Sequence, residues 1–235
     1  MELPIVVGAA RGWFALFRCS ADPMRPMLPP PLEPVVLRGG RGVVSVGVID
    51  YEETSIGPFT EAIIGFAARH RPWFNLPVGS MYLERRASDF GYWTQVLATS
   101  SDKVRVLEEE TWGYPSFASD VRVVLKRSKM RTVVTENGAE IFQFEMKRPG
   151  AGLPIHFPYR TYSRLGDEIL RTEVSVDAIG HEKQWFTSAK LTMHRHERVE
   201  SLRALSIDCT NPIEVRWYDS FRGRMDAAGA RFKAK

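Results

Sequence analysis

At 235 residues the chain is long enough for one large domain or two small ones, and no linker favours two, so a single domain over 1–235 is expected. Hydrophobic residues make up 44% and aromatic residues 11%, enough to fill a core, yet no apolar run reaches the length that spans a bilayer. The 32 Lys and Arg against 28 Asp and Glu leave +4, the sign of a mixed solvated surface, which argues against a nucleic-acid or membrane partner. Cys19 and Cys209 are the only cysteines; they could pair, but nothing in the sequence places them together, and such low usage fits a reducing cytosol. The N-terminus, Met-Glu-Leu-Pro-Ile-Val-Val-Gly, lacks the basic region and cleavage pattern of a signal peptide, so a cytoplasmic protein is expected.

Arg11 to Cys19 reads as a first strand, heavy in aromatics. Asp22 to Pro34 carries Pro23, Pro26, Pro29, Pro30, Pro31 and Pro34, so it holds at most a short helical turn and otherwise runs extended across the core. Val43 to Tyr51 and Phe59 to Ala68 are apolar strands joined by a turn at Ser55-Ile-Gly-Pro58. Met81 to Arg86 and Gly91 to Thr99 read as a strand pair about a Ser88-Asp89 turn. A short helix follows, capped by Ser101 or Asp102, with Val104 and Leu107 as its apolar positions. Gly113 and Pro115 stop it, because glycine accepts the left-handed exit and proline cannot extend the ladder.

Strands are expected next at Val121 to Leu125, Arg131 to Thr135 and Glu140 to Lys147, with Asn137-Gly138 turning the last two. More follow at Ile155 to Ser163, Ile169 to Val176 and Trp185 to His194. Glu197 to Leu205 reads as a short helix and Glu214 to Tyr218 as a last strand. The segment 222–235 sets Arg222, Arg224, Arg231, Lys233 and Lys235 against Asp226 alone and is rich in alanine and glycine, the pattern of a flexible basic tail. Many strands with few short helices predict a β-rich α+β fold on a large curved or closed sheet.

Three stretches carry a family resemblance. Glu110-Thr-Trp-Gly-Tyr-Pro115 is similar to the Glu-x-Trp-Gly-(aromatic)-Pro-Lys segment of the acetoacetate decarboxylase family. Tyr51-x-x-Thr-Ser-Ile-Gly-Pro-Phe-Thr-Glu61 resembles its Tyr-x-x-(Thr/Ser)-x-(Val/Ile)-Gly-Pro-Tyr-x-Glu, and Asp22 to Pro34 resembles its proline-rich segment, better in the second half. The resemblance implies an acetoacetate decarboxylase-like closed β-cone or barrel with flanking helices, acting without a cofactor or metal on a small molecule, as a homo-oligomer.

In that family the lysine after the proline forms a Schiff base with the substrate ketone, and a second lysine often follows. Here those positions are Ser116 and Phe117. A hydroxyl cannot form an imine, and a phenyl ring supplies no charge to activate one. Glu61 matches the glutamate of the family's active-site segment, and Arg11 is aligned with its first-strand arginine. A glutamate in an apolar barrel suits a general acid or base, and an arginine suits a carboxylate or enolate oxygen. Arg11, Glu61 and Ser116 are therefore the candidate catalytic residues, expected together on one cavity wall; the alternative, a purely structural buried Arg11–Glu61 pair, is placed second because of the motif. Phe59, Trp112, Tyr114 and Phe117, the aromatics of the matching segments, are the candidate substrate contacts; Glu110 reads as structural.

Other chemistries are weaker. Ser116 has no Gly-x-Ser-x-Gly elbow for a serine hydrolase. His194-Arg-His196 lacks a third ligand at a recognised spacing. Lys126 and Lys190 could stand in for the missing lysine but read as outward-facing. The expected function is a lyase, dehydratase or isomerase acting on a small enolisable keto acid or diketone; the alternative is a non-catalytic small-molecule binder of the same family.

Overall fold

A computed structural model describes residues 3–72, 84–184 and 186–234. β1 (Ile5–Ser20) begins earlier than expected, since Ile5 and Val7 extend its buried face. The proline-rich segment makes one 3-10 turn at Arg25–Met27 and a short β2 (Leu32–Pro34), burying Met24, Leu28 and Leu32 as it crosses the core. β3 (Arg41–Thr54), β4 (Phe59–His70) and β5 (Phe90–Thr99) follow.

The strand expected from Met81 is not supported: 81–83 lie outside the described residues, and 84–86 form a turn. β5 pairs instead with β4, antiparallel from Glu61↔Thr99 to Arg69↔Phe90. Glu84 is buried there through an ion pair, a reason that alternation of side chains does not encode.

α1 (Asp102–Trp112) starts at Ser101, whose side chain accepts from the Val104 N–H, and stops at Gly113, left-handed with φ 63°. β6 (Ser116–Ala118) then runs parallel to β5. β7 (Asp120–Lys126), β8 (Lys129–Glu136) and β9 (Ala139–Lys147) form a meander, with Asn137 and Gly138 at positive φ in the last turn as expected. β10 (Leu153–Leu165) and β11 (Glu168–Lys183) form a long hairpin. β12 (Ala189–Met193) adds to β9 and completes a separate four-stranded sheet. α2 (Glu197–Glu200) passes into a 3-10 turn, Ser201–Leu205.

β13 (Pro212–Met225) is much longer than its expected core, and β14 (Ala230–Lys233) pairs with β11. The expected flexible tail is thus largely strand: Arg222 and Arg224 pair along β11 within β13, and Phe232 stacks on His70 at 3.7 Å. Charge counting missed this because the basic residues alternate with inward-facing ones.

The barrel closes through seven strands in the order β4-β3-β1-β13-β11-β10-β5, with β5 returning to β4. β1 is buried on both faces, as its continuous apolar run requires. Trp13, Ala15 and Phe17 pack outward against Phe142 and Phe144 of the four-stranded sheet, while Ala10 and Phe14 face the barrel interior with Ile63, Leu97 and Trp112. Cys19 and Cys209 are both free thiols.

Candidate active site

The barrel interior holds a cavity of about 790 Å³ of empty space, solvent at its mouth included. Phe14, Ile63, Leu97, Phe157, Val176 and Phe221 give it an apolar wall, and Glu61, Glu108, Tyr51, Tyr114 and Arg216 are set into that wall.

Cross-strand register decides which side chains reach it. Gly12, Ile49, Glu61 and Thr99 form one row across four strands; Arg11, Asp50 and Thr60 form the next. Neighbouring rows face opposite sides of a sheet. Glu61 therefore points inward and Arg11 outward. Arg11 is paired with Asp50 at 2.9 Å and Glu52 at 2.7 Å and does not line the cavity, so the expected wall of Arg11, Glu61 and Ser116 and the alternative Arg11–Glu61 pair are both corrected.

Glu108 lies at the centre of the buried stripe of α1, between Val104 and Trp112 at helical i, i+4 spacing. The stop at Gly113 and Pro115 turns the chain back, so that Ser116, 6% exposed, begins β6 beside the helix it has just left. Its Oγ–H donates to Glu108 Oε2 at 2.6 Å. Glu108 in turn is hydrogen-bonded to Glu61, and the Tyr51 hydroxyl donates to Glu61 Oε2 at 3.3 Å. Ser116 thus touches the site through Glu108 and is not itself a wall residue.

The electrostatics follow from that geometry. Burial pushes the Glu108 carboxyl well above its ordinary value, and the charge of Glu61 pushes it further. Burial also raises Glu61, against the hydrogen bonds it accepts from Glu108 and Tyr51. Two carboxylates in contact within an apolar wall cannot both ionise, so the pair titrates as a unit, with Glu108 as the proton donor and Glu61 as the acceptor. Tyr114 is pushed up to about 12 by burial, and Tyr51 is raised for the same reason, so both phenols stay protonated.

Of the expected aromatic contacts, only Tyr114 lines the cavity, with its hydroxyl 2.6 Å from Thr161 Oγ1. Phe59 supports the site by stacking on Tyr51 at 4.3 Å. Trp112 is fully buried, stacks on Tyr114 and donates to the Asp226 carbonyl. Phe117 faces away from the cavity into the outer core, under the Arg198 guanidinium. Lys126 and Lys190 are exposed at an outer groove, and His194 and His196 sit against Glu140 and Glu136.

Two charged cavity residues were missed. A polar residue at an apolar helix position, Val104-x-x-x-Glu108-x-x-x-Trp112, was the available signal for Glu108. The signal for Arg216 was the alternation Glu214, Arg216, Tyr218 on one strand face, all nearly buried.

The described residues thus form a closed β-barrel around an apolar cavity with a buried carboxyl pair. The family model described as acetoacetate decarboxylase (ADC) matches residues 5–207, and the chain belongs to that family. An acetoacetate decarboxylase structure aligns with TM-score 0.69 at 11% identity, covering 99% of this chain and 91% of that one. Acetoacetate decarboxylase from Legionella pneumophila aligns with TM-score 0.62 at 15% identity, covering 96% and 89%. The enduracididine biosynthesis enzyme MppR, complexed with pyruvate, aligns with TM-score 0.66 at 12% identity, covering 100% and 91%. At these identities the likeness is one of fold. No curated protein sequence matches the chain.

Proposed function

We propose that this chain is an enzyme that enolises a small keto acid or diketone by acid–base chemistry, without an imine, in a lyase, dehydratase or isomerase reaction. The observation that carries this reading is the buried Glu61–Glu108 pair at the cavity wall. By the family resemblance Ser116 occupies the imine-forming position, and no lysine stands among the described residues lining the cavity.

The carboxylate of Glu61 takes the proton from the carbon next to the carbonyl. The C–H electrons form the C=C bond, the C=O π electrons move to oxygen, and Glu108 delivers its proton to that oxygen. The enol leaves Glu61 protonated and Glu108 ionised, and the hydrogen bond between them returns the proton. The apolar wall raises both carboxyls above their ordinary value, in the direction that suits acid–base catalysis. Ser116 and Tyr51 hold the two carboxyls in orientation. A cytoplasmic, homo-oligomeric protein belongs to the same proposal.

The competing reading, a non-catalytic binder, is favoured by one feature: Arg216 is already engaged by two carboxylates. Deuterium exchange next to the carbonyl, measured over β-keto acids and 1,3-diketones, separates the two. Glu61→Gln keeps size and hydrogen bonding, so ligand affinity should hold while exchange falls by roughly 10²–10⁴-fold. Wild-type protein that catalyses no exchange across the panel rejects the enzyme. A borohydride-trapped adduct on any lysine rejects the imine-free route.

A further inference from the structure

We infer that Glu84 and Glu214, by occupying Arg216, make this cavity select neutral carbonyl compounds over carboxylate-bearing ones. The inference rests on the reading above and narrows its substrate class to the diketone side.

Arg216 is the only basic side chain among the described residues lining the cavity. It is 5% exposed, as a cation can be only when paired. Its Nε–H donates to Glu214 Oε1 at 2.6 Å, and Nη1 and Nη2 donate to the two oxygens of Glu84 at 2.7 and 2.5 Å. The end-on fork, which would otherwise grip a ligand carboxylate, is filled by Glu84. Gln184 holds the second oxygen of Glu214 at 3.3 Å.

The charges then decide the ligand. One guanidinium against two carboxylates leaves the cluster with one net negative charge. The neighbouring Arg85–Glu182 pair is neutral, and Tyr218, which lines the cavity, donates its hydroxyl to Glu182. The Glu61–Glu108 pair carries a further negative charge while Glu61 is ionised. A carboxylate entering this space meets like charge, poorly screened by the apolar wall, and the one cation among the described lining residues is taken. A neutral carbonyl meets no such repulsion.

Acetylacetone and acetoacetate are near-isosteres that exchange a methyl for a charged oxygen. Titration calorimetry at neutral pH should show wild-type protein binding acetylacetone at least about tenfold more tightly. Glu84→Gln frees part of the fork and should close that gap by tightening acetoacetate, with acetylacetone little changed. Should Glu84→Gln fail to fold, Glu214→Gln removes the second carboxylate and should move the ratio the same way. Equal or tighter acetoacetate binding by wild type, an unmoved ratio in the variants, or binding of neither ligand overturns the inference. These readouts are affinities, so loss of the turnover reading, as judged by deuterium exchange, leaves them intact.

Discussion

Glu108 shows how a single buried acid couples chemistry to stability. Its proton is held by burial and by the adjacent Glu61 charge. Folded protein therefore binds that proton to a higher pH than the unfolded chain does. Above the ordinary carboxyl value of 4.5, and until Glu108 ionises, the folded state carries more protons, so stability falls as pH rises. Below that window the contribution is fully present. Glu108→Gln removes the titrating group, and urea unfolding across pH should show a flatter decline above 4.5 than in wild type. An identical slope would mean that Glu108 is ionised in the folded protein. Ser116 has a related part: it donates to Glu108 at 2.6 Å and opposes the rise in its pKa.

At the scale of the element, α1 and its exit do the positioning. Val104, Glu108 and Trp112 form one buried stripe, so the helix that packs the barrel also delivers the acid. The turn at its end is equally constrained. Gly113 has φ 63°, and a Cβ built there would lie 2.2 Å from the Arg164 carbonyl oxygen. Gly113→Ala must therefore bear the left-handed cost of roughly 1–2 kcal/mol and also shift β10 or the turn. Denaturant unfolding should register a loss above that figure. Exchange activity should fall as well, because Ser116 and Glu108 depend on the same turn. A variant as stable as wild type would show that the exit has room to relax.

At the scale of the whole molecule, the four-stranded sheet is packed on the outside of the barrel through a shared core. Phe142 and Phe144 are both fully buried in the cluster that holds Trp13 and Phe17. The single domain expected from the sequence should then unfold in one cooperative transition. Phe144→Ala should lower its stability by about 3–5 kcal/mol without splitting it. Two separate transitions by calorimetry would divide the chain into barrel and sheet. No helix among the described residues is long and apolar enough to cross a membrane.

Much of this was legible in the chain before any tertiary contact. The Asn137-Gly138 hairpin, a cap at Ser101 or Asp102, the stop at Gly113 and the apolar strands around Val46 and Ile64 are short-range facts, set by φ preferences and side-chain period. The motif from Tyr51 to Glu61 and the one ending at Pro115 carried the family, and Glu61 with it. What the sequence could not decide was which distant side chains share a cavity. Arg11 lay one row from the inward face, and only the pairing of β1 with β3, and of β3 with β4, shows that its row points out. Glu108 meets Glu61 only where α1 packs against the barrel, and Arg216 meets Glu84 across most of the chain. Backbone conformation is written locally. The charge and proton of a buried site come from neighbours that closure of the barrel brings together, and only the tertiary structure chooses those.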